Sequence, residues 1–94
     1  MVKVYVRLLG DLREAMGKER LEIELPSGMR LKEVIEAISS RYDELREHII
    51  DSMKGEIRTD LIILVNEKSI ESFTKDEKIK DNDIITLASA IAGG

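Results

Sequence analysis

Arg20-Leu21-Glu22-Ile23-Glu24-Leu25-Pro26-Ser27-Gly28-Met29-Arg30-Leu31-Lys32-Glu33-Val34-Ile35-Glu36-Ala37-Ile38-Ser39 contains a change of period that decides the fold. In its first part Leu21, Ile23 and Leu25 alternate with Glu22 and Glu24, the two-residue period of a half-buried strand, and Pro26-Ser27-Gly28 stops it. From Leu31 the apolar residues Leu31, Val34, Ile35 and Ile38 fall at i, i+3, i+4 and i+7. They make one helical stripe opposite Lys32, Glu33, Glu36 and Ser39. Arg30 takes the cap position, and Glu33 can reach back toward the unpaired amides of the first turn.

Working outward, Val2, Val4, Val6 and Leu8 alternate with Lys3, Tyr5, Arg7 and Leu9, predicting a first strand over residues 2–9 that pairs with the strand at 20–25. Asp11 is expected to cap a short helix carrying Leu12 and Met16, ended by Gly17 in the left-handed conformation. Beyond the main helix, Asp43 is expected to cap a second one whose stripe is Leu45, Ile49 and Met53, with a turn at Lys54-Gly55. Leu61-Ile62-Ile63-Leu64-Val65 is continuously apolar and reads as a strand buried on both faces in the middle of the sheet. Ile70 and Phe73 are the expected anchors of the polar loop that follows. Lys80-Asp81-Asn82-Asp83 makes a turn with Asn82 at positive φ, and residues 84–88 form the last strand.

The order predicts one α+β domain over residues 1–88, a mixed sheet of four or five strands with one main helix across one face, followed by a flexible tail at 89–94. This is a β-grasp arrangement. The chain has 94 residues, enough for a single core. That core is built from Ile, Leu, Val and Met, because 43% of the residues are hydrophobic and only 3% aromatic. A net charge of -4 argues against nucleic acid and anionic membranes as partners, since both attract basic patches. With no cysteine the chain has no disulfide, no thiolate metal site and no thiol nucleophile, so any sulfur chemistry must be borrowed. Met1-Val2-Lys3-Val4-Tyr5-Val6-Arg7-Leu8-Leu9 is too short and too charged for a signal peptide or membrane helix, which makes a cytoplasmic location the expectation.

Several words along the chain carry a family resemblance. They are Leu12-Arg13-Glu14-Ala15 followed by Gly17, Leu25-Pro26-Ser27-Gly28 before the helix, Ile63-Leu64-Val65-Asn66, and Ile79-Lys80-Asp81-Asn82-Asp83-Ile84-Ile85 leading into Ile91-Ala92-Gly93-Gly94. In their order and spacing the chain resembles the small subunit of molybdopterin synthase and the wider group of ubiquitin-like sulfur carriers (MoaD- and ThiS-like proteins and archaeal small modifiers). The resemblance implies that Gly94 is the chemical site. An E1-like enzyme using ATP and magnesium would adenylate its carboxylate, and a sulfurtransferase would convert it to a thiocarboxylate. The sulfur would then pass to molybdopterin on a large subunit or similar acceptor. The chain itself would bind no cofactor and would not be catalytic alone. Archaeal relatives imply the alternative of a modifier joined through Gly94 to lysines; a plain β-grasp interaction domain is the third possibility.

The physics of the ending agrees. An extended tail of about six residues reaches roughly 20 Å, and Ile91, Ala92 and Gly93 are slim enough to thread a tight channel. A carboxylate on glycine is open to attack from either face, because there is no Cβ to hinder it. Many molybdopterin synthase small subunits have an aromatic and prolines before the terminal glycines and a further aromatic on the first strand. Here those positions hold Ala88, Ser89, Ala90 and Arg7. The outward face around Tyr5, Arg7, Thr86 and Ala88 is the expected docking surface. No metal site is expected: His48 has no second His or Cys for company, and Asp81 with Asp83, or Glu22 with Glu24, read as a turn and a solvated strand face. The four methionines read as core filler or exposed ends.

Overall fold

A computed structural model of the chain describes residues 1–69 and 77–89. The chain order is β1 (Val2–Leu8), α1 (Asp11–Met16), β2 (Arg20–Leu25), α2 (Leu31–Arg41), α3 (Asp43–Ile49), β3 (Ile50–Asp51), β4 (Glu56–Ile57), β5 (Leu61–Val65), β6 (Lys68–Ser69) and β7 (Ile84–Ser89). Five strands form one mixed sheet in the order β2-β1-β7-β5-β6, while β3 and β4 make a separate two-stranded ribbon. This is the β-grasp expected from the sequence. β1 runs antiparallel to β2 and parallel to β7, which in turn runs antiparallel to β5.

Alternation settles which face of each strand turns inward. Val4, Val6 and Leu8 of β1, Leu21, Ile23 and Leu25 of β2, Ile63 and Val65 of β5, and Ile85 and Leu87 of β7 are all buried. The stripe Leu31, Val34, Ile35 and Ile38 of α2 packs into the same cluster, joined by Leu12 of α1 and by Leu45 and Ile49 of α3. The helices thus cover one face only. The other carries Lys3, Tyr5 and Arg7 of β1 beside Arg20, Glu22 and Glu24 of β2.

Several local expectations are corrected. Asp11 and Asp43 do not cap their helices. Gly10 and Tyr42 hold those positions, and the two aspartates sit in the first turn, where a negative charge still favours the helix N-terminus. Ser39 is buried, not solvated; its hydroxyl donates to the Glu36 carbonyl at 2.7 Å, which satisfies it inside the fold. Met53 does not continue the α3 stripe, because that helix ends at Ile49 and Met53 stands 94% exposed in the turn after β3. Residues 61–65 are not buried on both faces, since Ile62 is 44% exposed, and the strand lies one place from the sheet edge, not at its middle. The last strand runs one residue further than expected, with Ser89 paired to Leu61. Ile70 and Phe73 lie outside the described residues.

Other expectations hold. Glu33 accepts the Arg30 backbone N–H at 3.0 Å, and Gly17 ends α1 at φ 74°. Asn82 sits at φ 69°, donates its backbone N–H to the Lys3 carbonyl at 2.7 Å, and so closes its turn against β1. One turn was not foreseen. Asn66 and Glu67 join β5 to β6 with φ 51° and 71°, the twin positive angles of a type I′ hairpin turn. Asn66 tolerates this and is held there: its side-chain amide donates to Asp83 at 2.9 Å, and its carbonyl accepts the Ile84 N–H at 2.9 Å.

Glutamate at a left-handed position carries a steric cost that glycine avoids, of order 1 kcal/mol. Glu67→Gly should therefore stabilise the fold, by up to about 1 kcal/mol, as a rise in the urea midpoint with unchanged slope. Ile38→Ala, which opens a cavity under α2, should cost about 2–5 kcal/mol of a total of roughly 5–15. Met53→Ala should stay within about 0.5 kcal/mol in the same titration.

Candidate functional site

Two regions of the described protein bear on function: the end of β7, from which the chain continues toward its C-terminus, and the open face of the sheet. Gly94, Gly93, Ala92 and Ile91, which the sequence marks as the chemical end and its threading segment, lie outside the described residues. What is described is their root. β7 is held on both sides, by the parallel register Tyr5–Ile84 to Leu8–Leu87 with β1 and the antiparallel register Leu61–Ser89 to Val65–Ile85 with β5. The Leu9 N–H donates to the Leu87 carbonyl at 3.1 Å, prolonging the contact with β1 almost to the strand's end.

A cleft of about 560 Å³ opens beside Ser89, walled by Leu12, His48, Asp51, Arg58 and Asp60. Arg58 organises it. Its guanidinium donates from Nε to Asp60 Oδ1 and from Nη2 to Oδ2, both at 2.9 Å, in the fork geometry that suits a carboxylate. Its backbone N–H donates to the Ile49 carbonyl at 2.8 Å and its Nη1 to the Glu47 carbonyl at 3.4 Å, tying the loop to the end of α3. The hydrogen bond and charge of Arg58 hold the Asp60 carboxyl below its ordinary range, and Asp60 raises Arg58 in return. His48 is half-buried in this wall, and among the described residues no three His, Cys, Asp or Glu side chains gather as a metal site.

The sheet face brings together the four expected docking residues. Register pairs Arg7 with Thr86, and Tyr5 and Ala88 stand two residues away on the same face. Tyr5 and Ala88 are half-buried and Arg7 is exposed, but Thr86 is only 6% exposed and forms a floor beneath its neighbours. The sequence reading missed three members of this face: Ile62, Ile84 at 36% exposure, and Arg20, whose guanidinium lies 5.9 Å from the Tyr5 ring centre. Ile84 was findable, because it alternates with Thr86 and Ala88. Ile62 was hidden by the run of five apolar residues, which has no period to show a solvent side. Asp81 and Asp83 have turn roles: Asp81 accepts the Lys3 N–H and Asp83 the Lys80 N–H, each at 2.7 Å.

A five-stranded mixed sheet, helices on one face only, and a last strand running parallel to the first at the sheet's centre define a ubiquitin-like β-grasp fold. The model of the ThiS family matches residues 6–94, and the chain belongs to that family. Solved structures agree. Small archaeal modifier protein 1 (SAMP1) from Haloferax volcanii superposes with a TM-score of 0.84 at 17% identity, over 98% of this chain and 99% of that one. SAMP1 from Methanosarcina acetivorans gives 0.82 at 27% identity, over 100% and 98%. A Pyrococcus furiosus protein described as molybdopterin converting factor, subunit 1, gives 0.75 at 29% identity, over 97% and 100%. No curated protein matches the chain. No described helix is long and apolar enough to cross a membrane.

The Arg58–Asp60 pair yields a pH prediction. A carboxyl whose folded-state pKa is depressed stabilises the fold at pH values above its unfolded pKa and loses that contribution as pH falls through the folded value. Arg58 stays charged throughout. Thermal midpoints taken from neutral pH downward should therefore fall less for Asp60→Asn than for the wild type below the ordinary carboxylate range, with the variant lower at neutral pH.

Proposed function

We propose that the chain carries sulfur as a thiocarboxylate at Gly94 and delivers it in the assembly of molybdopterin for a molybdenum or tungsten cofactor. The observation that carries this reading is the family match, which spans residues 6–94. A second support is the Pyrococcus furiosus neighbour described as molybdopterin converting factor, subunit 1, which matches over nearly the whole of both chains.

The chemistry divides between this chain and its partners. An E1-like enzyme supplies ATP and magnesium; a Gly94 carboxylate oxygen attacks the α-phosphorus, pyrophosphate leaves, and an acyl-adenylate remains. The terminal sulfur of a sulfurtransferase persulfide then displaces AMP at the carbonyl carbon to give an acyl disulfide, and a thiol reductant cleaves its S–S bond, leaving a thiocarboxylate free to react with an acceptor on a large-subunit partner. This chain contributes a slim acyl end. With no cysteine of its own, it offers no thiol to compete for the activated carbonyl. These steps consume ATP and a reductant, which supports a cytoplasmic location for them.

A second reading uses the same adenylate but passes it to a lysine amine, giving an isopeptide bond. The Methanosarcina acetivorans neighbour, described as a small archaeal modifier protein, favours it. Both readings predict that incubation with the E1-like enzyme of the same genome, ATP and magnesium yields an adenylate seen by intact-mass spectrometry, and that deleting Gly94 abolishes it. Protein purified from its native host should show the mass gain of sulfur replacing oxygen if it is a carrier. Gly-Gly remnants on lysines of other proteins would assign it as a modifier. An adenylate that still forms without Gly94 would refute both.

A further inference from the structure

The two ladders that hold β7 do not end together. The register with β1 stops at Leu8–Leu87, closed by the bond from the Leu9 N–H to the Leu87 carbonyl, whereas the register with β5 runs on to Ile62–Ala88 and Leu61–Ser89. In an antiparallel ladder, pairs that exchange hydrogen bonds alternate with pairs that do not. The Asn66 N–H donates to the Ile84 carbonyl at 2.8 Å, so by this alternation the exchanging pairs are Leu64–Thr86 and Ile62–Ala88. Ile62–Ala88 is thus the outermost bonded pair of that ladder, one residue in from the start of β5.

The start of β5 is itself held by a clip. The Arg58 N–H donates to the Ile49 carbonyl at the end of α3, and the Arg58 carbonyl accepts the Leu61 N–H at 3.4 Å. The Arg58 side chain then turns forward and grips Asp60, the residue before β5, through two bonds of 2.9 Å. With side chains 40% and 32% exposed, such a pair adds little to the stability of the whole domain. The end pair of a ladder, however, opens at almost no cost, so a small bias decides whether it is closed.

We propose that Arg58 and Asp60 are positioning residues for the reaction at Gly94: by fastening the start of β5 they keep Ile62–Ala88 closed and fix Ser89 as the point where the chain leaves the sheet. With that pair open, release begins at Leu87, where β1 still holds. Each residue freed adds up to about 3.5 Å of reach and two soft torsions to the segment that carries the carboxylate. An acyl end on a longer and looser root meets the activating pocket in its reactive pose less often. The effect is exerted through β5 and not on the carboxylate itself. The inference rests on the proposed activation of Gly94 and adds the residues that aim it.

The test uses the full chain as wild type, Arg58→Gln, Asp60→Ala, the two combined, and Ile38→Val as a variant that loosens the core away from the clip. Amide exchange at Ile62 and Ala88, followed by NMR, reads the end of the ladder. ATP–pyrophosphate exchange by the E1-like enzyme of the same genome, at varied concentrations of the chain, gives kcat and KM. Each single variant should quicken exchange at Ile62 and Ala88 by up to about fivefold, the scale of an exposed ion pair, with Leu64 and Thr86 unmoved. It should lower kcat by about two- to fivefold while KM holds; loss of folded protein would raise the apparent KM and leave kcat alone. The combined variant should lose no more than either single one, because the two residues act as one device. If exchange at Ile62 and Ala88 is that of the wild type, if it quickens with kcat unmoved, or if Ile38→Val lowers kcat as much, the positioning role falls and the Gly94 reading stands. If the wild type supports no pyrophosphate exchange, both fall.

Discussion

The parallel pairing of β1 with β7 joins segments whose partners, Tyr5 and Ile84, stand 79 positions apart (84 − 5). Closing so long a loop costs chain entropy that local contacts cannot offset, so the pairing depends on the apolar surface it completes. That surface is supplied by alternation. Val6 and Leu8 on one strand and Ile85 and Leu87 on the other face the same core, and α2 can cover that core only when the two strands lie side by side. Every other strand of the main sheet pairs outward from this central couple: β2 adds to β1, and β5 adds to β7. The same couple turns Tyr5, Arg7, Thr86 and Ala88 to one side and delivers the chain's last segment from the middle of the sheet.

Polar loops then fix what the core leaves free. The turn at Lys80 to Asp83 is fastened to the start of β1 through Asp81 and Asn82, and to the β5–β6 hairpin through Asp83 and Asn66. These short bonds, one backbone to backbone, one backbone to side chain and one between side chains, fix the entrance of β7 and with it the register of the strand. At the other end Arg58 holds the loop around the cleft by its bonds to Asp60, to Ile49 and to Glu47.

Where the period ran through a whole element its buried stripe was legible, although Met53, spaced like Leu45 and Ile49, fell beyond the end of α3 and Ser39, read on the polar side of α2, is buried. Leu21, Ile23 and Leu25, or Leu31, Val34, Ile35 and Ile38, can satisfy only one geometry each, and those elements were legible to the residue. Where the period vanished, so did the orientation: Leu61 to Val65 offered no polar mark to show that Ile62 faces water, and burial on both sides was the natural but mistaken inference. Caps failed for another reason. Aspartate favours both the cap and the first turn, so Asp11 and Asp43 were displaced by one residue without any change in their physical role. Of the proposed site, Gly93 and Gly94 lie outside the described residues and are marked by the sequence alone. Arg20 was not legible, since only cross-strand register reveals what stands opposite Arg7.

The flanking of β7 on both edges also has a mechanical meaning. A partner that drew the tail into its own channel, or a machine that took hold of it to unfold the protein, would load β7 along its length. The strand could then slide only by shearing its ladders with β1 and β5 together, not by peeling bonds one at a time as from a free edge. A pull on that end thus meets two ladders at once, whereas the edge strands β2 and β6 have one each to lose.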